Sequence, residues 1–396
     1  MTIDEAALAT ARAWIVRVGL TSDDPASLLT GASERLLEAG IPLVRTHISF
    51  ATLDPCKRAE NIVWSRGHAT RREFHDHEQF EQFFPQSPFP EMLKTGQLQR
   101  RWQLETPDDG QGFPVIQAIR DEGATDLVVQ IVPFRGTSEI FEGFAFSAAT
   151  DRPGGFADPE VALLNELAPT MALSSYRIAT SDALGSVLRA YLGAGPGDQI
   201  LRGRIRPGEG HRIMAAILLA DLRGFTSATE REGPGVIGRL GQHLGAIAEP
   251  VEAAGGEVFK FIGDGLLAAF PVSGETAAAA CDAAIAAARE AMARNDAVNT
   301  AHPGTPRLDL DIALHLGEVF YGNIGAASRL EFTAIGPAVN EAARLEGLCG
   351  QLDRAILMSE SFARACSAPA TSVGRFELRG VSGIREVFAP EASEPA

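Results

Sequence analysis

ILLADLRGFTS, residues 217–227, and GGEVFKFIGDGLLAAF, residues 255–270, decide how the second half of this chain folds. The first is an apolar run that ends on Asp221 and must then turn into a helix near Thr226, which places a carboxylate at a strand end. Such a carboxylate is a hard oxygen ligand, and the backbone N–H groups of the turn and helix start, at Gly224, Phe225 and Thr226, can face a polyanion. The same residues also fit a turn aspartate followed by an ordinary helix cap. In the second stretch a tight Gly263-Asp264-Gly265 turn joins two apolar strands, a common hairpin signal. Lys260 stands between Phe259 and Phe261. A point charge there is costly without a partner or a task, unless the strand is a solvated edge.

Working outward, RLEFTAIGPAVNEAARLEGL (329–348) places Asn340 and Arg344 four apart, on one helix face. An amide and a guanidinium held together can orient and neutralise a reacting phosphate. The same face also reads as surface, with Glu341 and Glu346 as ion-pair partners. Around these segments, 214–222 reads as a buried strand, 233–254 as a helix, 257–270 as a hairpin and 275–295 as an Ala-rich helix. Residues 308–325 read as a strand pair, 337–348 as a helix, and 374–388 as a final strand pair. This order makes an α+β or α/β unit of about 180 residues.

Upstream, residues 3–19 and 22–39 read as helices, the second opened by TSDDPASLL and closed at Ala39-Gly40. Strand-like runs occupy 42–53, 124–134 and 139–149, with short helices at 86–96 and 113–122, so this part is also α+β. Residues 159–192 repeat apolar positions at three- and four-residue spacing, an amphipathic connector suited to dimerisation, with a bend or break expected at Pro169. The Gly/Pro/Arg-rich segment 193–212 reads as a flexible linker and domain boundary. The tail APEASEPA is expected to be disordered.

The 396 residues fit two or three domains. With 35 Lys plus Arg against 51 Asp plus Glu the formal charge is -16, which repels nucleic-acid phosphates and anionic lipid, so a nucleic-acid partner is not expected. A small anionic substrate stays open if a metal and local cations offset that field. Cys56, Cys281, Cys349 and Cys366 form no CxxC pair and fit a reducing cytoplasm. No apolar stretch reaches the roughly 20 residues of a membrane span, and the N-terminus carries no readable secretory signal, so a cytoplasmic location is expected.

Together and in this order, ILLADLRGFTS, GGEVFKFIGDGLLAAF, ALHLGEVFYGNIG (313–325) and FTAIGPAVNEAARLE (332–346) resemble the catalytic domain of the class III nucleotidyl cyclases, the adenylate and guanylate cyclases. The resemblance covers about 212–390. It implies a ferredoxin-like, palm-type α+β fold. It also implies that Asp221 and Asp264, with the backbone carbonyl of Leu222, bind two Mg2+ or Mn2+ ions per active site. Asn340 is similar to the family's ribose-orienting asparagine and Arg344 to the arginine that stabilises the transition state at the α-phosphate. Lys260 and Thr333 resemble the adenine-reading pair of many bacterial members, with Thr333 in place of the mammalian aspartate, so ATP is expected over GTP. Arg379 is a candidate triphosphate contact, and Glu318 stands where some relatives carry a basic residue. In the family the aspartates come from one subunit and the other four residues from its partner, which implies a homodimer with two equivalent sites.

The expected function is therefore an adenylate cyclase making 3′,5′-cyclic AMP and pyrophosphate. The alternatives are a guanylate cyclase and a catalytically silent nucleotide-binding signalling protein. A diguanylate cyclase lacks support, because FIGDGLL carries no GGDEF-type hairpin. The domain expectation is 1–155, 156–211 as helical connector and linker, and 212–390. The order of elements in 1–155 weakly resembles a GAF sensor domain, which implies a regulatory role with a small-molecule ligand, against a passive dimerisation module. His47, His68, His75 and His77 read as scattered surface or core residues rather than a metal or haem site, and 72–82 as a solvated loop or helix. Trp64 and Trp102 read as packing residues.

Overall fold

The computed structural model describes residues 5–54, 57–106, 109–110, 112–134, 143–272, 274, 276–326 and 328–391. Cys56, the start of the 139–149 strand expectation and most of the APEASEPA tail lie outside them. The chain divides into two compact units, Met1–Val187 and Leu188–Ala396.

The first unit begins with helices α1 (Glu5–Thr21) and α2 (Pro25–Glu38). Asp24 caps α2 by accepting from the backbone N–H groups of Ala26 and Ser27. Strands β1 (Arg45–Asp54), β2 (Lys57–Ser65) and β3 (Arg71–His75) follow, then α3 (His77–Phe83) and α4 (Phe89–Thr95). After these come β4 (Gln99–Gln103), α5 (Pro114–Asp121), β5 (Asp126–Pro133), β6 (Gly143–Thr150) and α6 (Asp158–Leu192). The sheet is antiparallel in the order β3-β2-β1-β6-β5-β4. Because strand residues alternate faces, Ile48, Ile62 and Phe146 pack on one side with Leu28, Leu29, Leu164 and Leu167 of the long helices. Leu127, Val129 and Trp102 pack on the other side with Met92, Ile116 and Ile119.

Three features differ from the sequence expectation. β2, β3 and β4 were not anticipated, since KRAENIVWS, RREFH and QRRWQ are mostly polar. Their pairing partners, not their own hydrophobicity, make them strands. Segment 72–82 is therefore part of a strand followed by a helix, whose capping box joins Asp76 and Gln79. Helix α6 runs through Pro169 without interruption, held by buried Leu163, Leu164, Leu167, Met171 and Ala172 on both sides of it. The unit boundary falls inside this helix.

The second unit opens with α7 (Ala194–Leu201), a helix where a flexible linker was expected. Arg189 bonds Asp198 at 2.9 Å and ties α7 back to the end of α6. Then come β7 (Gly210–Arg223), α8 (Phe225–Glu232), α9 (Val236–Ala253), β8 (Glu257–Ile262), β9 (Gly265–Pro271), α10 (Ala278–Ala301), β10 (Asp309–Ala326) and β11 (Arg329–Ile335). The unit closes with α11 (Pro337–Glu346), α12 (Cys349–Leu352), β12 (Ile356–Ser359), α13 (Glu360–Ala365), β13 (Ala370–Glu377) and β14 (Ile384–Pro390). The sheet order is β13-β14-β12-β10-β7-β9-β8, with β11 paired to the far end of β10. The expected strand pair at 308–325 is a single long strand. Its first part pairs with β7 and its last residues with β11. Gly317 does not break it, since its missing side chain makes room for Ala338, whose Cβ would lie 2.6 Å from an added Cβ.

Alternation again sets the layers. Ala216, Leu218, Ala220 and Leu222 of β7 face α9 and the Ala-rich α10, whose small side chains allow close packing. Ala215 and Ile217 face the opposite side, with Ala338 and Ala342 of α11. Asp221 belongs to that second series, so it emerges on the α11 face at the end of the apolar run.

Candidate active site

Asp221 and Asp311 are Cα partners across β7 and β10 and share one face of the sheet. Like charges directly opposite one another repel. Arg223, two residues along β7, relieves the deeper of the two: its Nε lies 3.0 Å from Oδ2 of Asp311, and a terminal guanidinium nitrogen lies 2.5 Å from Oδ1. Asp221 has no such partner. Burial first, then the charges of Asp264 and Asp311, push its carboxyl up to about 6. Asp264 comes from the β8–β9 turn, made tight by Gly263 at φ 63°. A Cβ added at Gly265 would lie 2.6 Å from the Ala220 carbonyl oxygen and 2.9 Å from Asp221 Oδ1, so glycine lets the turn close over the end of β7.

Sequence reasoning left Glu346 as a surface ion-pair residue, and the structure corrects this. It sits half-buried at the end of α11, where burial, then Asp221, Asp311 and Asp264, raise it to about 7. The signal was present in its position one turn after Ala342 on the buried face of α11, but the acids beneath it become neighbours only through the β7–β10 register. Glu341 lies elsewhere, 3.8 Å from His315 Nδ1 and 3.4 Å from Arg385 Nε.

The helix after Asp221 starts at Phe225, with Gly224 at φ 90° and no side-chain cap, so the first-turn N–H groups are left for another acceptor. Lys260 lies on edge strand β8, and its Nζ is 2.9 Å from Oε1 of Glu331 on β11. Thr333 is on the same face of β11 as Glu331; it is buried, and its hydroxyl has no hydrogen-bond partner. Asn340 and Arg344 are exposed on α11, and the Arg344 Nε donates to the backbone carbonyl of the exposed Arg379 at 3.1 Å. Glu318 pairs at the surface with Arg212 at 3.0 Å. The chain thus brings Asp221, Asp264, Asp311 and Glu346 together, joins Lys260 to the Glu331/Thr333 row, and joins Arg344 to Arg379.

The acidic group is a set of hard oxygen donors whose mutual repulsion a divalent cation would relieve, and in that respect it fits Mg2+ or Mn2+. Among the described residues no group of three or more His, Cys, Asp or Glu side chains is arranged to hold a metal alone. A site completed by waters and substrate phosphates needs only one or two carboxylates.

Residues 212–389 match the family model described as the adenylate and guanylate cyclase catalytic domain. This segment is a class III nucleotidyl cyclase catalytic domain. The chain is similar to an adenylate cyclase of Anabaena cylindrica, 39% identical over 156 residues, covering 39% of this chain and 31% of that protein. It is also similar to adenylate cyclase 2 of Rhizobium meliloti, 33% identical over 221 residues, covering 54% of this chain and 59% of that one. The chain therefore spans less than two thirds of either relative. Among solved structures, the adenylyl cyclase CyaB from P. aeruginosa matches with 25% identity and a TM-score of 0.43, covering 47% of this chain and 97% of that one. The cyclase domain is preceded by an N-terminal α+β domain, and no helix among the described residues is long and apolar enough to cross a membrane.

Proposed function

We propose that the protein is an adenylate cyclase, converting ATP to 3′,5′-cyclic AMP and pyrophosphate in a homodimer whose two equivalent sites are each shared between subunits. The observation that carries the proposal is the Asp221 carboxylate, placed beside an uncapped helix start and raised in pKa by burial and then by the charges of Asp264 and Asp311. Asp221, Asp264 and the Leu222 carbonyl would hold two Mg2+ or Mn2+ ions, which supply Lewis-acid activation of the ribose 3′-hydroxyl and charge neutralisation of the triphosphate.

The chain's own groups account for the rest. The N–H groups from Gly224 to Thr226 donate to the polyphosphate, and Arg379 is its further cation. Lys260, aimed by Glu331, donates to the adenine N1 acceptor, and the orphaned Thr333 hydroxyl accepts from the N6 amino group. Exposed Asn340 and Arg344, contributed with Lys260 and Thr333 by the second subunit, orient the ribose and stabilise charge developing on the α-phosphate. Residues 1–155, read as a GAF-like domain, with 156–211 as connector, would set how the subunits of 212–390 approach each other.

The test is complementation. Asp221→Asn and Arg344→Ala chains should each be inactive alone, and their mixture should regain up to about a quarter of wild-type activity, because half the dimers are mixed and each holds one intact site. Verified mixed dimers without activity contradict the shared site.

A further inference from the structure

A cavity with a volume of about 450 Å3 lies on the β-sheet of the N-terminal unit. That is the size of a small-molecule site. Alternation on β1 builds its polar floor: Arg45, His47 and Ser49 all point into it, while Thr46, Ile48 and Phe50 between them are buried on the helix side. Asn61 of β2 and Ser147 of β6 extend that floor. The roof is aromatic. Phe80 and Phe84 stack with ring centroids 4.8 Å apart, and Phe83 lines the cavity while remaining 47% exposed. A large apolar side chain left open beside a polar floor favours an amphiphilic occupant.

The polar groups define its charge. His47 is held neutral, with its Nε2 3.2 Å from Asn61 Oδ1 and its pKa lowered to about 3 by burial and then by Arg45. Arg45 is the one arginine or lysine among the described lining residues. Its guanidinium is largely out of solvent and makes no ion pair or hydrogen bond with any described residue; the charges of Glu122, Arg71 and Glu73 act on it only from a distance. A partly buried guanidinium with five donors and no acceptor has a high affinity for a carboxylate, which it can meet with two parallel bonds. Glu73, exposed at the β3 edge of the cavity, disfavours a second negative charge.

We propose that this cavity binds a small aromatic monocarboxylate, with its ring under Phe80, Phe83 and Phe84, its carboxylate on Arg45, and His47, Asn61 and Ser49 supplying neutral polar contacts. The site is independent of the reading of residues 212–390, and its test reads binding rather than turnover.

The experiment titrates the full chain calorimetrically with naphthalene-2-carboxylate and with its neutral isostere, naphthalene-2-carboxamide. The carboxylate should bind at least about tenfold more tightly, the scale of one charge-assisted contact. Arg45→Gln should bring the two affinities to within about twofold of each other, and Phe83→Ala, which alters a half-exposed ring, should weaken both equally. Ser49→Phe, which fills the floor, should abolish both. Absence of saturable binding to the wild-type chain, or equal affinity for the two probes, overturns the proposal. If Arg45→Gln fails to fold, Arg45→Lys must keep a preference for the carboxylate and Phe83→Ala must still weaken both probes; failure of either also overturns it.

Discussion

Lys260 and Glu331 form an ion pair, Nζ to Oε1 at 2.9 Å, and Thr333 stands next on the same face of the Glu331 strand with its buried hydroxyl unpaired. The pair is partly solvated, so its worth to stability is small, about 0–1 kcal/mol. Its consequence is positional, because a lysine on an edge strand has many rotamers and Glu331 selects one. Glu331→Gln should leave the melting temperature within a few degrees of wild type. It should reduce the ratio of ATP to GTP turnover by about two- to tenfold, the range of one imperfectly placed hydrogen bond. Unchanged kcat/KM for both nucleotides removes Glu331 from base selection.

Gly265→Ala tests the close approach of the β8–β9 turn to β7. The new methyl meets a backbone oxygen at 2.6 Å and the Asp221 carboxylate at 2.9 Å, and the backbone cannot yield as a flexible side chain would. A loss of about 1–3 kcal/mol in urea unfolding is expected. Activity should fall more than the unfolded fraction explains, since Asp221 itself is displaced. A variant as active and as stable as wild type contradicts the geometry.

Divalent-cation binding should depend on pH. Asp221, raised to about 6, and Glu346, raised to about 7, are elevated by burial and like charge, so their ionisation costs the folded state. For a carboxyl raised on folding, the associated stability is present below its unfolded pKa and is lost as pH rises through the folded value. The metal-free protein should accordingly lose stability between about pH 4 and 7, and Mn2+ should restore it at pH 7.5. The Mn2+ effect on melting temperature should shrink below about pH 6 as protons compete. Asp221→Asn should flatten both responses. A Mn2+ shift of equal size at pH 5 and pH 7.5 contradicts this assignment.

His47 gives the opposite sign in the N-terminal unit. Its pKa, lowered to about 3, means that the unfolded chain takes up a proton that the folded chain refuses. The stability contribution is full above the unfolded value near 6.5 and is lost as pH falls toward 3. His47→Gln should lessen the dependence of unfolding free energy on pH in that window by up to one proton. An unchanged slope places the imidazole in water.

Much of this was legible in the sequence, for identifiable reasons. Asp221 at the end of an apolar run, Asp264 in a Gly-Asp-Gly turn and Lys260 between two phenylalanines are local patterns, and local patterns are written in the chain. Pairing is not. Asp311 lies within a hydrophobic strand and acquires meaning only from the register that sets it opposite Asp221. Glu331 carries no local signal, and Glu346 reads as a surface ion-pair partner, until β8 and the end of α11 are brought to them. Polar strands β2 to β4 gave no hydrophobic alternation to read, so the face carrying Arg45, His47 and Ser49 stayed hidden. Of the bend or break expected at Pro169, the break does not occur, because a local rule about proline yields to the packing of the residues around it.

The most direct measurement is product identity. Purified protein incubated with Mn2+ and either ATP or GTP, followed by chromatographic separation, should yield cyclic AMP and pyrophosphate in preference to cyclic GMP, and Asp264→Asn should abolish both cyclic products. A cyclic dinucleotide, no product at all, or turnover that survives Asp264→Asn would contradict the account.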